Sequence, residues 1–366
     1  MARRPRSNGS PADSSRVIEH LESAFEGRAI VYATSKRAPP QLFATKIAPD
    51  VLPVLGKHLD GIRRVKKIVL VLHTQGGTLD TPWPFVSLLR HHITESLYVV
   101  VPEMALSAGT LIALGADRII MSPHAFLSPV DPARVAEVEG KTQELSIEDV
   151  RGYLDFVTER VGIRDQEALV EALKELTREV KATVLGNIHR TNALIERLST
   201  SLLQLHLRNL DDENRVKQIV DFLTHSLHTH QHLIPIGEAR DLIGFGDMVR
   251  ETLPKEELAA REALGYIVKE LELEQGFPPE FPEAKPAAKT PSSQTPSSQT
   301  PVSQTPAGQT PAGQTPKVHE FEAKRAIMLS RGLVHAFTSK YRLSKSGDAP
   351  IEVGLTAQGA WRRIDK

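Results

Sequence analysis

The chain has 366 residues, with 45 lysines and arginines balanced by 45 aspartates and glutamates, and no cysteine. Zero net charge argues against a dedicated nucleic-acid binder or a polybasic membrane-surface protein, both of which carry a basic excess. The lack of cysteine excludes disulfides, a thiolate nucleophile and thiolate-ligated zinc, and it fits a reducing compartment.

In chain order, residues 1–15 are basic and polar, lack the apolar core of a secretory signal, and read as a disordered arm. A globular pattern runs through residues 16–271. Residues 29–33 (AIVYA) predict a strand, and residues 50–59 have helical spacing in Val51, Leu52, Val54, Leu55 and Leu59. Residues 67–73 (KIVLVLH), 97–101 (LYVVV) and 118–121 (RIIM) are short apolar runs rich in β-branched residues, as in strands buried on both faces. Between them, residues 78–92 predict a helix with Pro82 and Pro84 in its first turn, and residues 107–115 a short helix of small and apolar residues. Alternating strands and helices imply an α/β fold with parallel pairing and right-handed crossovers. The apolar stretch 97–121 is interrupted by Pro102, Glu103, Ser107 and Asp117, so no membrane span is expected and the chain is read as soluble and cytoplasmic. Residues 148–224 turn helical and amphipathic, with Leu169, Leu173, Leu176, Val180 and Val184 three or four apart.

Composition then shifts. Residues 272–316 form a proline-, threonine- and glutamine-rich linker holding the pentads TPSSQ, TPSSQ, TPVSQ, TPAGQ and TPAGQ between Thr290 and Gln314. Proline in every unit favours extended conformers, which span roughly 80 Å at about 3.1 Å per residue. Residues 317–366 are too few to hold a large core and are expected to be a small module docked on something else.

Two loops carry chemistry. His73-Thr74-Gln75-Gly76-Gly77 follows one buried strand, and paired glycines let backbone amides approach a ligand, as an oxyanion hole requires. Residues 102–109 (PEMALSAG) follow the next buried strand and put Ser107 at the start of a helix, where the amide ends favour negative charge. Singly, each loop also reads as an ordinary turn or N-cap. Together, at the carboxyl ends of neighbouring strands, they point to one site.

The motifs LVLHTQGGTLD and VVVPEMALSAGTLIALGADRIIMSPHAFLSPVDP, with the later HQHLIPIGEARDLIGFGDMV, resemble the Clp protease/crotonase superfamily. Within it they are most similar to the serine dehydrogenase proteinase family of ClpP-class serine proteases, related to signal peptide peptidase A. The resemblance covers roughly residues 27–249 and implies a ββα-superhelix core. It also implies a serine peptidase acting on proteins or peptides without a cofactor or metal, commonly as a homo-oligomer. Carried over, the nucleophile is Ser107, and the oxyanion donors are Gly76 or Gly77 and the amide of Ala108, where relatives often have a second glycine.

The base is less defined. The Clp proteases place a histidine about twenty-five residues after the serine; the nearest equivalent here falls around Ser128 and Pro129, where no histidine stands. The signal-peptide-peptidase branch uses a lysine further on, which maps best onto Lys141. Lys174, Lys181 and His124 are alternatives. A lysine base must be dehydrated enough to be neutral near pH 7, against an ordinary value of about 10.4. The acidic neighbours Glu137, Glu139 and Glu144 work against that, and residues around Lys141 also read as a solvated loop.

Other features have modest readings. His225, His228, His230 and His232 alternate as metal ligands can, but no carboxylate matches their spacing and a polar turn is the expectation. Asp131 could orient a base or simply mark a turn. Trp83 and Phe85 are read as core or interface, with a groove lining as the alternative. Arg3, Arg4 and Arg6 are too few for a nucleic-acid site. Two other functions stay open: a non-catalytic scaffold on the same fold, and a crotonase-type acyl-CoA enzyme, for which Glu103 would be the base.

Overall fold

The computed structural model describes residues 11–35, 46–62, 64–130, 134–138, 141–145, 147–226, 232–274, 317–345 and 352–364. Helix α1 (Pro11–Phe25) leads into β1 (Arg28–Thr34), followed by α2 (Leu52–Asp60) and β2 (Val65–His73). Next come α3 (Pro82–His91), β3 (Ile93–Val101), β4 (Met104–Ala105), α4 (Ala108–Leu114), β5 (Arg118–Met121) and β6 (Phe126–Leu127). A hairpin of β7 (Arg134–Val138) and β8 (Lys141–Leu145) precedes the helices α5 (Ile147–Asp155), α6 (Gln166–Glu179), α7 (Ala182–Leu203) and α8 (Leu210–Asp221). The chain continues through β9 (Ile234–Pro235), β10 (Val249–Glu251), α9 (Pro254–Glu270), β11 (Lys317–Ser330), β12 (Leu333–Lys345) and β13 (Glu352–Arg363).

The main sheet has the order β10-β5-β3-β2-β1-β11-β12-β13. Its first five strands are parallel, as the alternating apolar runs predict, and the last three are antiparallel. The strands are continuous apolar runs because both faces are covered. Ile30, Tyr32, Leu70, Leu72, Val99 and Val101 join a core with α2, α3 and α4. Their neighbours Val31, Ala33, Val69, Val71 and Val100 point to the other face, against Val17, Ile18 and Leu21 of α1 and Ala260, Ala263 and Ile267 of α9. Each fully buried aliphatic side chain contributes about 1.5–3 kcal/mol, more than an exposed ion pair at about 0–1 kcal/mol, so these two faces hold the sheet.

Three boundaries differ from the sequence reading. Helix α1 begins at Pro11, inside the stretch read as a disordered arm, because Val17, Ile18 and Leu21 make one apolar face that the preceding turn extends. Helix α3 begins only at Pro82: Thr78 and Thr81 both donate to the Asp80 carboxylate, at 2.5 and 3.1 Å, and hold residues 78–81 as a turn. The segment around Lys141 is a β-hairpin rather than a loop, with Val138 opposite Lys141.

The C-terminal strands continue the main sheet at β1, with Val31 opposite Leu329 and Ala33 opposite Ile327. The run Ala326-Ile327-Met328-Leu329 has no polar alternation because Ala326 and Met328 enter one core and Ile327 and Leu329 the other. Most of the linker, residues 275–316, and the first ten residues lie outside the described residues. Among the described residues, no helix is long and apolar enough to cross a membrane.

Candidate active site

Both motif loops leave the carboxyl ends of parallel strands, and short backbone bridges tie them together. Thr74 donates its N–H to the Met104 carbonyl at 3.0 Å and accepts from the Leu106 N–H at 3.0 Å. Gly109 packs so closely on this bridge that a Cβ there would lie 2.5 Å from Thr74 Cγ2. Gly76 has φ +109°, and a Cβ on it would sit 2.8 Å from Ser107 Cβ, 2.9 Å from the Leu106 oxygen and 3.4 Å from the Ala108 nitrogen. The paired-glycine turn and the serine turn are therefore in contact.

Gly76 and Gly77 do different things. The Gly76 N–H donates to Thr74 Oγ1 at 3.0 Å, so that amide is already engaged. Gly77 lies against Ile47: the Ile47 N–H donates to the Gly76 carbonyl at 2.9 Å, and the Thr78 N–H donates to the Ile47 carbonyl at 2.8 Å. In a parallel bridge of this kind the central residue's own N–H and C=O face away from the partner strand. The Gly77 amide thus points away from Ile47. Ala108 is the first residue of α4 and buried, and helix geometry leaves an N–H at that position without an intrahelical acceptor.

Ser107 has φ +50° and ψ −112°, a left-handed-side conformation that an L-residue adopts at a cost of about 1–3 kcal/mol. It is half-buried. The surroundings hold it there. Its N–H donates to Ser128 Oγ at 2.8 Å, and the Ser128 hydroxyl donates to the Pro129 carbonyl at 3.0 Å. Ser128 is fixed in turn by Thr110, whose hydroxyl is 3.0 Å from the Ser128 carbonyl and accepts the Ser128 N–H at 3.2 Å. The position where a histidine would be sought thus carries the residue that clamps the serine turn. Ser128→Ala leaves the Ser107 N–H without this acceptor, which costs about 1–3 kcal/mol for a buried donor. The expected result is a lower denaturation midpoint, largely restored in Ser128→Thr.

The proposed bases are spread widely. Lys141 opens β8 in the hairpin directly after the 128–130 segment, but its side chain lies outside the described residues. Lys174 is exposed and ion-paired to Glu171 at 2.6 Å, and Lys181 is exposed at the start of α7. Neither has the dry surroundings a neutral lysine needs. His124 is exposed in the turn after β5. Asp131 lies outside the described residues. Glu103 lies 3.5 Å from the ring of buried His73, linking the serine loop to the end of β2.

Of the histidine series, the side chain of His225 and all of His228 and His230 lie outside the described residues, and His232 binds Glu238 at 2.9 Å. Among the described residues there is no group of three or more metal-ligating side chains. Phe85 is fully buried and stacks on Tyr32 at 5.6 Å, a core role, whereas Trp83 is exposed. Sequence reading missed Ser128, Ile47 and Thr110. Ser128 and Thr110 lie inside the serine-loop motif and Ile47 outside the motifs, and each acts through contacts with segments apart from it in the chain.

Comparison with known proteins agrees with the resemblance read from the motifs. Residues 58–182, about a third of the chain, match the model of the ClpP-like SDH-type serine proteinase family. The matched segment contains both loops and the Lys141 hairpin. Two uncharacterized proteins of Methanocaldococcus jannaschii are similar: MJ0137, 28% identical over 180 residues, and MJ1495, 24% identical over 175 residues. Each match covers 48% of this chain, and the chain spans about half the length of these relatives, 52% and 50%. Among solved structures, two mutant forms of the 1510-N membrane-bound stomatin-specific protease, one holding a substrate peptide, are 15% identical to the chain. They cover 64% of it and 85% and 98% of their own chains, with TM-scores of 0.36 and 0.27.

Proposed function

We propose that the chain is a serine endopeptidase of the ClpP class, hydrolysing peptide bonds in proteins or peptides without a cofactor. The observation that carries this reading is the strained Ser107 seated against the Gly76–Gly77 turn. A backbone in that region persists only when the surroundings enforce it, and such strain concentrates at active sites.

In this reading the Ser107 hydroxyl attacks the scissile carbonyl carbon and passes its proton to Lys141. The carbonyl oxygen becomes an oxyanion between the N–H groups of Gly77 and Ala108, and Gly76 supplies the close approach rather than a donor. Collapse breaks the C–N bond, and the protonated lysine returns the proton to the leaving amine. Water, deprotonated by the same lysine, then hydrolyses the acyl-serine. One lost oxyanion donor raises the barrier by about 2.7–4 kcal/mol.

Two features support wider parts of the reading. Val170, Leu173 and Leu194 are exposed on α6 and α7, which suits a homo-oligomer built through these helices. The charge balance and lack of cysteine suit the cytoplasm.

The direct test is hydrolysis of casein and short peptides by the purified chain. The parent should cleave and Ser107→Ala should not, with unchanged circular dichroism; equal cleavage by both would refute the reading. Lys141→Ala should lower kcat by about 10²–10⁴-fold, the range of general acid–base catalysis. A Lys141→Ala variant with parental kcat would assign the base elsewhere.

A further inference from the structure

The C-terminal strands reach the paired-glycine turn at both ends of one row of residues. Pairing register sets Thr34, Ala326, Phe337 and Trp361 in that row across β1, β11, β12 and β13. Residues directly opposite one another in antiparallel strands share a face, so the row lies on the side of the sheet that carries α2 and α3. At one end of the row, Thr34 Oγ1 is 2.9 Å from Thr74 Oγ1, the atom that accepts the Gly76 N–H at 3.0 Å. At the other end, Trp361 Nε1 donates to an Asp50 carboxylate oxygen at 2.9 Å. Asp50 belongs to the single turn Pro49–Val51, which follows closely on Ile47.

Both ends bear on the same loop. Ile47 seats Gly77 through an isolated bridge, with no neighbouring rung to keep it in register. Whatever fixes the Ile47 segment therefore fixes the direction of the Gly77 N–H. Trp361 is suited to that role. Its ring is partly buried, edge-on to Phe337 at 5.8 Å and tilted on Tyr32 at 6.4 Å, and Tyr32 stacks in turn on Phe85 of α3. A ring locked by packing has one direction for its N–H, and a hydrogen bond to a carboxylate is stronger than one between neutral groups. Asp50 and Trp361 are 311 residues apart, and both lie outside the segment 58–182 that matches the family. The tie belongs to this chain's own C-terminal strands.

We infer, on the peptidase reading, that Trp361 is a positioning residue for hydrolysis: through Asp50 it holds the Ile47 segment, and with it the Gly77 N–H, where the oxyanion forms. The strands after the linker are then a working part of the site. An oxyanion donor acts in the transition state rather than in substrate binding, so loosening it lowers kcat and leaves KM alone.

The test uses the full chain and peptide hydrolysis. Trp361→Phe keeps an aromatic ring and removes the N–H, Asp50→Ala removes the acceptor, and Asp50→Asn keeps one. The first two should each lower kcat about fivefold at parental KM, the net contribution of a single hydrogen bond. Their double variant should fall no further, since both break one contact, and Asp50→Asn should stay near the parent. Amide hydrogen exchange at Ile47 and Thr78 should quicken in Trp361→Phe while exchange in the middle of β2 does not change. Val334→Ala is the control for stability: Val334 is buried in β12 on the opposite face of the sheet, so the truncation should lower the melting temperature and leave kcat as it was. Parental kcat, or parental exchange at those two amides, in Trp361→Phe would overturn the inference, as would an equal fall in kcat in Val334→Ala. Cleavage by Ser107→Ala equal to the parent's defeats the peptidase reading and this inference with it, whereas an active parent matched by Trp361→Phe defeats this inference alone.

Discussion

Ser107→Gly is expected to abolish peptide hydrolysis and at the same time raise the melting temperature. The two effects have one origin. Ser107 sits at φ +50° and ψ −112°, where its Cβ is disfavoured by about 1–3 kcal/mol and a glycine is not. Glycine gives back about 0.5–1 kcal/mol through the greater freedom of the unfolded chain, so the net gain is on the order of 1 kcal/mol. For a chain of this size that is a rise of about 1–2 °C. Ser107→Ala is the matched control: it removes the hydroxyl but keeps Cβ, so activity should vanish without the rise. Thermal scans of both variants beside a casein assay decide it. A glycine variant no more stable than the alanine variant would mean that the serine turn carries no strain.

Gly77→Ala is expected to remove activity by a different route. A Cβ at this position would lie 2.0 Å from the Ile47 oxygen, 2.4 Å from its nitrogen and 2.6 Å from its carbonyl carbon. All three are backbone atoms that no side-chain rotation can clear. Either the loop or the Ile47 segment must move, at a cost of about 1–3 kcal/mol or more. In the proposed reaction the Gly77 N–H is an oxyanion donor, and on that reading moving the loop lowers kcat by about 10²–10³-fold. Gly56→Ala supplies the contrast, because a Cβ there meets nothing within 4 Å in the middle of α2. It should keep full activity and gain about 0.5–1 kcal/mol, the usual preference for alanine over glycine in a helix. Denaturation midpoints and kcat for the two variants test the pair. Parental turnover in Gly77→Ala would show that the paired-glycine turn does not serve the reaction.

The parallel part of the sheet was legible because its strands are buried on both faces and read as unbroken apolar runs, so β1, β2, β3 and β5 fall where the sequence puts them. The two loops were legible for a related reason: glycines and small residues are needed wherever two backbones touch, and Gly76, Gly77 and Gly109 mark those contacts. What stayed hidden depends on partners distant in sequence. Nothing near Ile47 or Ser128 announces that one seats Gly77 and the other holds the Ser107 amide. The backbone strain at Ser107 is likewise invisible in composition, because serine is an ordinary N-cap residue in every other respect. The run 326–329 showed that residues 317–366 contain buried apolar structure, but not that β1 would be the edge to receive it. Strand partners are chosen by the whole sheet rather than by the local pattern.

The central claim is that Ser107 is an activated nucleophile, and the most direct measurement is adduct mapping after treatment with a fluorophosphonate. The account predicts a single adduct on the peptide containing Ser107, absent in Ser107→Ala and formed much more slowly in Gly77→Ala. A folded chain that stays unlabelled, or that carries its adduct on another serine, would contradict it.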